Sequence, residues 1–153
     1  MAVLAATACA APTTSSAPTP AAPGVVPPAS FADPLADFPT MAVTVGDTAL
    51  LVAVADTPDL RARGLMGVTE LRGIDGMLFR WPADVESGFW MKDTPMPLDI
   101  GFFAADGSLL EVLAMEPCAA DPCPVYRPEV GYRFALEVPS GGVVEWGRLA
   151  LTP

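Results

Sequence analysis

From about residue 43 onward, apolar and polar side chains alternate in short runs with a period of two, the period of a strand. Val43 and Val45, then Leu50, Val52 and Val54, flank Gly46-Asp47 and predict a hairpin. Gly76–Trp81 is an apolar run that Pro82 is expected to halt, and Ser87–Lys92 is another, halted by Asp93-Thr94-Pro95. Leu98–Phe103 and Leu109–Met115 flank Asp106-Gly107, the clearest hairpin signal in the chain. Tyr132, Phe134, Leu136 and Val138 alternate with Arg133, Ala135 and Glu137, which predicts a strand with one core face and one other face. A last short strand is expected within Val143–Leu151. Only Ala55–Gly67 departs from this pattern. Asp56 or Thr57 can cap it, Pro58 fits a first helical turn, Asp59 suits the positive end of the dipole and Gly67 can end it. One short helix of about two turns is predicted there. About seven short strands and a single helix specify an all-β class, a sandwich or barrel.

Before Phe38 the alternation is absent. Residues 10–38 are dominated by Ala, Pro, Thr and Ser; such a stretch lacks core-forming side chains and favours a semi-extended, disordered stalk. Met1-Ala-Val-Leu-Ala-Ala-Thr-Ala-Cys9 resembles the end of a bacterial lipoprotein signal, an apolar run and small residues before the cysteine that is lipidated. The basic n-region is missing, so translation is expected to start upstream. The expected organisation is 1–9 signal remnant, 10–38 linker and 39–153 folded domain.

Composition narrows function mainly by exclusion. The 153 residues carry a formal net charge of −10, with 8 Lys+Arg against 18 Asp+Glu. Such a surface repels phosphate backbones and anionic lipid, so neither nucleic acid nor a basic membrane patch is expected, and a lipid on Cys9 is the only membrane contact foreseen. His is absent, which removes Ser-His-Asp and Cys-His catalysis and an ordinary His-containing zinc site. No cofactor or metal site is indicated, and a monomer with an unidentified envelope ligand or protein partner is expected. Of three cysteines, Cys118 and Cys123 form C-x4-C in a Pro-rich loop. In an extracytoplasmic protein the expected outcome is a local disulfide, contributing at most about 2–3 kcal/mol through loop closure. A redox pair usually needs C-x-x-C at a helix start, and further metal ligands are lacking.

Several motifs occur in a fixed order: Arg63-Gly64-Leu65-Met66, Gly76-Met77-Leu78-Phe79, Phe89-Trp90-Met91-Lys92-Asp93-Thr94, Pro97-Leu98-Asp99-Ile100, Asp106-Gly107 and Ala135-Leu136-Glu137-Val138. Together, over about residues 43 to 142, they resemble the bacterial and archaeal Domain of Unknown Function 192 family. The resemblance implies a compact β-sandwich of jelly-roll character, often exported, and implies no particular activity. Two departures stand out. Asp93 occupies a position usually held by Asn, adding a charge beside Lys92, and the segment after Gly141 is compressed.

The polar members of these motifs are Arg61, Arg63, Lys92, Asp93, Thr94, Asp99 and Glu137. Arg and Lys beside a concave apolar wall can clamp a carboxylate or phosphate, so a binding or accessory module with a groove around Arg63, Trp90, Lys92 and Asp99 is the first reading. Asp99 lies in an apolar strand and needs a partner; a structural pair with Lys92 or an Arg would equally explain it. Two other readings compete. Asp99 and Glu137 could be the paired carboxylates of an envelope hydrolase. Met66, Met77, Met91 and Met96 could bind Cu(I), although thioethers among Leu and Phe also suit a core. Trp81 and Trp90 are expected in the core or in a pocket wall, and Trp146 partly exposed.

Overall fold

The computed structural model describes residues 33–143 and 145–152. Nine strands and one helix follow in the order β1 (Thr40–Val45), β2 (Thr48–Ala55), α1 (Pro58–Arg63), β3 (Gly76–Val85), β4 (Phe89–Trp90), β5 (Leu98–Phe103), β6 (Leu109–Met115), β7 (Val125–Tyr126), β8 (Tyr132–Pro139) and β9 (Leu149–Leu151). Seven strands form one sheet in the order β6-β5-β8-β3-β2-β1-β9, and β4 pairs with β7 in a small second sheet. The described residues are therefore all-β with a single short helix, as the alternation predicted.

Both predicted hairpins form. Val43 pairs with Leu50 across Gly46, which takes the positive φ of 56° that a tight turn needs. β5 pairs with β6 across Asp106-Gly107, where Asp106 accepts from the Ser108 amide at 2.9 Å. The β2–β3 pairing is parallel and needs a crossover, which carries α1 over one face of the sheet. α1 begins where expected, with the Thr57 hydroxyl accepting from Leu60 N at 3.3 Å and Pro58 in the first turn. It ends earlier than Gly67, at Gly64, whose φ of 49° stops the helix after six residues. Asp56 is not the cap; it pairs with Arg80 at 2.9 Å.

Three boundaries differ from expectation. Pro82 does not halt β3, which runs on to Val85. The ladder to β8 is broken between Arg80 and Val85, so Pro82 lies where no amide is required. The expected strand Ser87–Lys92 shortens to Phe89–Trp90, because its partner β7 is only two residues long. The last strand shrinks to Leu149–Leu151 and adds to the outer side of β1.

The large sheet buries both faces. Ala53, Ala55, Met77, Phe79, Ile100, Phe102 and Ala135 meet on one side, joined by Leu65, Val68 and Met91 from the connections. Val43, Val45, Val52, Leu78, Leu136 and Val138 meet on the other, with Val143 and Leu149. Where strands carry apolar side chains on both faces, strict alternation disappears, as in Met77-Leu78-Phe79 and Ala135-Leu136.

Candidate functional site

The first of these faces is not closed over completely. A cleft of about 470 Å3 opens between the β2–β3 crossover, β3, the segment entering β4, and β8. Phe79, Trp81, Phe89 and Trp90 line it, with Leu65 and Met66. Its polar side chains are Arg61, Arg63, Ser87, Thr94 and Glu137. The volume falls in the range of small-molecule sites, and a largely apolar wall with a few polar groups is their usual make-up.

The aromatic wall is rigid for traceable reasons. Phe79 and Trp81 alternate along β3 and so share a face. Phe89 stands edge-on to Phe79 with ring centroids 4.9 Å apart, and Trp81 stands edge-on to Tyr132 at 5.2 Å. The Tyr132 hydroxyl donates to the Ser87 carbonyl at 2.8 Å, which holds the loop before β4 against the sheet. Trp90 is half-exposed (52 %) and forms a lip beside Val125 of β7.

Glu137 lies deepest. Its register partners are Met77 on β3 and Ile100 on β5, so the carboxyl projects from a central strand on the face of the apolar cluster. It is 4 % exposed, and its carboxyl makes no hydrogen bond or salt bridge among the described residues. Burial alone pushes its pKa up to about 8, so at neutral pH the group is mainly a neutral acid. Arg63 closes another side. Its Nη1 reaches Asp37 at 3.0 Å and its guanidinium lies 4.4 Å from the Phe38 ring centre. Its Nε and Nη2 are buried and have no hydrogen-bond partner among the described residues. Arg61 is held by its Nη1, donating to the Arg80 carbonyl at 3.0 Å, and by stacking 5.3 Å from the Trp81 ring centre. Arg63 and Glu137 make no ion pair with each other, although they share the cleft.

The candidate residues thus divide. Arg63, Trp90 and Glu137 come together in the cleft; Lys92, Asp93 and Asp99 do not line it. Lys92 pairs at 3.0 Å with Asp121 in the cysteine loop, and this hydrogen bond holds its ammonium above the ordinary pKa. Asp93 sits in a turn at φ 54°, a conformation that Asp and Asn tolerate better than other residues, and its carbonyl accepts from Gly67 N at 2.8 Å. Asp99 is paired, as an apolar strand demands, but with neither Lys92 nor an Arg. It accepts from Ser140 Oγ at 3.1 Å and from Gly141 N at 2.9 Å, fastening the turn after β8. The groove expected around Lys92 and Asp99 is therefore corrected to one around Glu137 and the aromatic wall. The two-carboxylate arrangement fails on register as well. Asp99 stands opposite Val138 and Glu137 opposite Ile100, which places the two carboxyls on opposite faces of the sheet.

Met77 and Met91 are fully buried among Phe and Leu, and only Met66 of the four motif methionines lines the cleft. Thioethers that fill a core among Phe and Leu account for that arrangement. Cys118 and Cys123 form the expected disulfide, with Cα atoms 5.8 Å apart. Its loop is anchored to the strand-end by Cys118 N to Met91 O at 3.2 Å and Asp93 N to Cys118 O at 3.1 Å. Cys9 and the 10–32 part of the linker lie outside the described residues. The sequence reading missed Ser87, Phe79 and Phe89 as site residues. The aromatics at 79, 81 and 89 were a visible signal, but a central strand and a pocket wall have the same apolar signature.

Residues 41–148 match the DUF192 family, described as uncharacterized ACR. The chain belongs to that family. Two solved structures share its fold. One, from Sinorhizobium meliloti 1021 and provisionally labelled a transcription regulator, is 26% identical with a TM-score of 0.66, the match covering 74% of this chain and 95% of that one. The other, a protein of unknown function from Novosphingobium aromaticivorans DSM 12444, is 24% identical with a TM-score of 0.61, over 74% of this chain and 84% of that one. No curated protein matches this DUF192 chain.

Proposed function

We propose that this DUF192 domain is a small-molecule-binding module of the cell envelope whose cleft seats an organic acid against Arg63. One observation carries the reading: the preformed aromatic cleft is lined by Arg63, whose buried Nε and Nη2 find no hydrogen-bond partner among the described residues. Unsatisfied buried donors cost stability, and a structure that keeps them beside a cavity is poised for an outside partner. Nε–H and Nη2–H lie along one edge of the guanidinium, the edge that accepts a carboxylate through two parallel hydrogen bonds. Trp90 and Phe89 would cover the apolar body of the ligand.

The label carried by the Sinorhizobium meliloti protein does not suit this chain, because a net charge of −10 opposes duplex binding. An extracytoplasmic location, with Cys9 as a lipid anchor, is supported by the Cys118–Cys123 disulfide, a bond at home in oxidising compartments. Palmitate labelling in a bacterial host of the product translated from the expected upstream start, lost in Cys9→Ala, is the expected result.

Thermal shift of the full chain with 3-phenylpropionate tests the cleft. Binding to the native state must raise Tm. The rise is expected to disappear in Arg63→Lys, which keeps the charge and loses the two-donor edge, and to persist in Asp99→Asn, which lies outside the cleft. No shift in the unsubstituted chain, or an equal shift in Arg63→Lys, overturns the reading.

A further inference from the structure

Arg63 accounts for only half of what the cleft leaves open. Glu137 is a second unpartnered polar group, 4 % exposed, reached through the same aromatic opening. The two do not pair with each other, so a single ligand has to satisfy them separately. What each wants is opposite in sign. Arg63 offers donors to an anion. A carboxyl that shares its cleft with aromatic rings suits an ammonium group, since a carboxylate and the face of an aromatic ring both attract a cation.

We propose that the ligand is a small zwitterion, its carboxylate on Arg63 and its ammonium on Glu137, with any apolar side group under Trp90. This rests on the cleft reading above and deepens it by naming the ligand class. The other charged group lining the cleft, Arg61, is held by the Arg80 carbonyl and Trp81, and the neighbouring strands present Met77 and Ile100 to Glu137. Among the described residues no cation therefore pairs with Glu137. When an ammonium arrives, the Glu137 O–H bond breaks, its proton passes to the buffer, and the carboxylate forms the ion pair.

Isothermal titration calorimetry of the full chain at pH 7 distinguishes the outcomes. The probes are 3-phenylpropionate, phenethylamine, L-phenylalanine and glycine betaine; the last two are zwitterions with a primary and a quaternary ammonium. At least one zwitterion is expected to bind about tenfold or more tightly than either singly charged probe. Titration in buffers of different ionisation enthalpy should show release of about one proton per site with that zwitterion and none with 3-phenylpropionate. Glu137→Gln, which keeps the shape of the side chain, should abolish both the tenfold advantage and the proton release while leaving 3-phenylpropionate binding intact. If 3-phenylpropionate binds as well as the zwitterions, or if Glu137→Gln changes neither readout, the zwitterion assignment falls and the organic-acid cleft survives. If none of the four probes binds, both fall. Preference for glycine betaine over L-phenylalanine would support the assignment and identify the quaternary class.

Discussion

Glu137 costs the fold stability in a pH window that follows from its environment. Its folded pKa is raised to about 8 from the ordinary 4.5. Below pH 4.5 the carboxyl is neutral in both folded and unfolded chains, and no penalty arises. Between the two values the unfolded chain ionises while the native one does not, so this group's contribution falls as pH rises, and above pH 8 the loss is complete. Glu137→Gln should therefore match the parent near pH 4 and exceed it at pH 7 by on the order of 2–3 kcal/mol, measured by urea unfolding at both pH values. Asp99 has the opposite role. Asp99→Ala removes two hydrogen bonds to the turn at Ser140-Gly141 and should destabilise by about 1–2 kcal/mol in the same assay, with probe binding unchanged. Asp99's need for a partner was legible in its apolar surroundings. That the partner is a backbone amide 42 residues away was not, because nothing local in the sequence encodes the β5–β8 pairing.

At the scale of elements, the hairpins and the helix start were legible because each depends on neighbouring residues: period-two runs, Gly46 and Gly107 at turns, Thr57-Pro58 at a cap. β3 was cut short in expectation because Pro82 reads as a strand breaker, and only the interrupted β3–β8 ladder explains its tolerance. β8 was expected to bury one face; in the centre of the sheet it buries both, and this places Glu137 in the cleft rather than at the surface. Close backbone approach makes a further test possible. A Cβ added at Gly76 would overlap the Glu137 carbonyl oxygen and lie 2.9 Å from Val138 Cγ1. Gly76→Ala should thus cost about 2–4 kcal/mol by forcing β3 away from β8, seen as a lowered urea midpoint. The disulfide is a smaller effect. Replacing Cys118 and Cys123 together by Ser should cost about 2 kcal/mol or less, since the loop it closes is short.

For the whole molecule, charge decides the partner class. The chain is acidic overall and the cleft is lined by two guanidinium groups, Arg61 and Arg63, so the organic anion proposed above would meet a local exception in a repelling field. The chain should leave duplex DNA mobility unchanged in gel shift at about 50 mM salt, where a basic binder would hold it. The family resemblance and the β class could be read from ordered motifs spread along the chain. The cleft could not, because its walls come from segments far apart in the chain that meet through the parallel β2–β3 crossover, the β3–β8 pairing and the short β4–β7 sheet.

The position of β1 has a mechanical consequence. Its first residues, Thr40 and Met41, are laddered to β2 alone, but Ala42 to Val45 are bonded on both sides, to β2 and to β9 or the Thr152 amide that follows it. Just ahead of them, Phe38 is buried and the Pro39 carbonyl accepts from Val54 N at 2.8 Å. A pull on the chain preceding β1 can start to peel two residues and then meets a segment that must break bonds on both sides at once. The domain is thus built to bear tension at the end by which a tether would hold it.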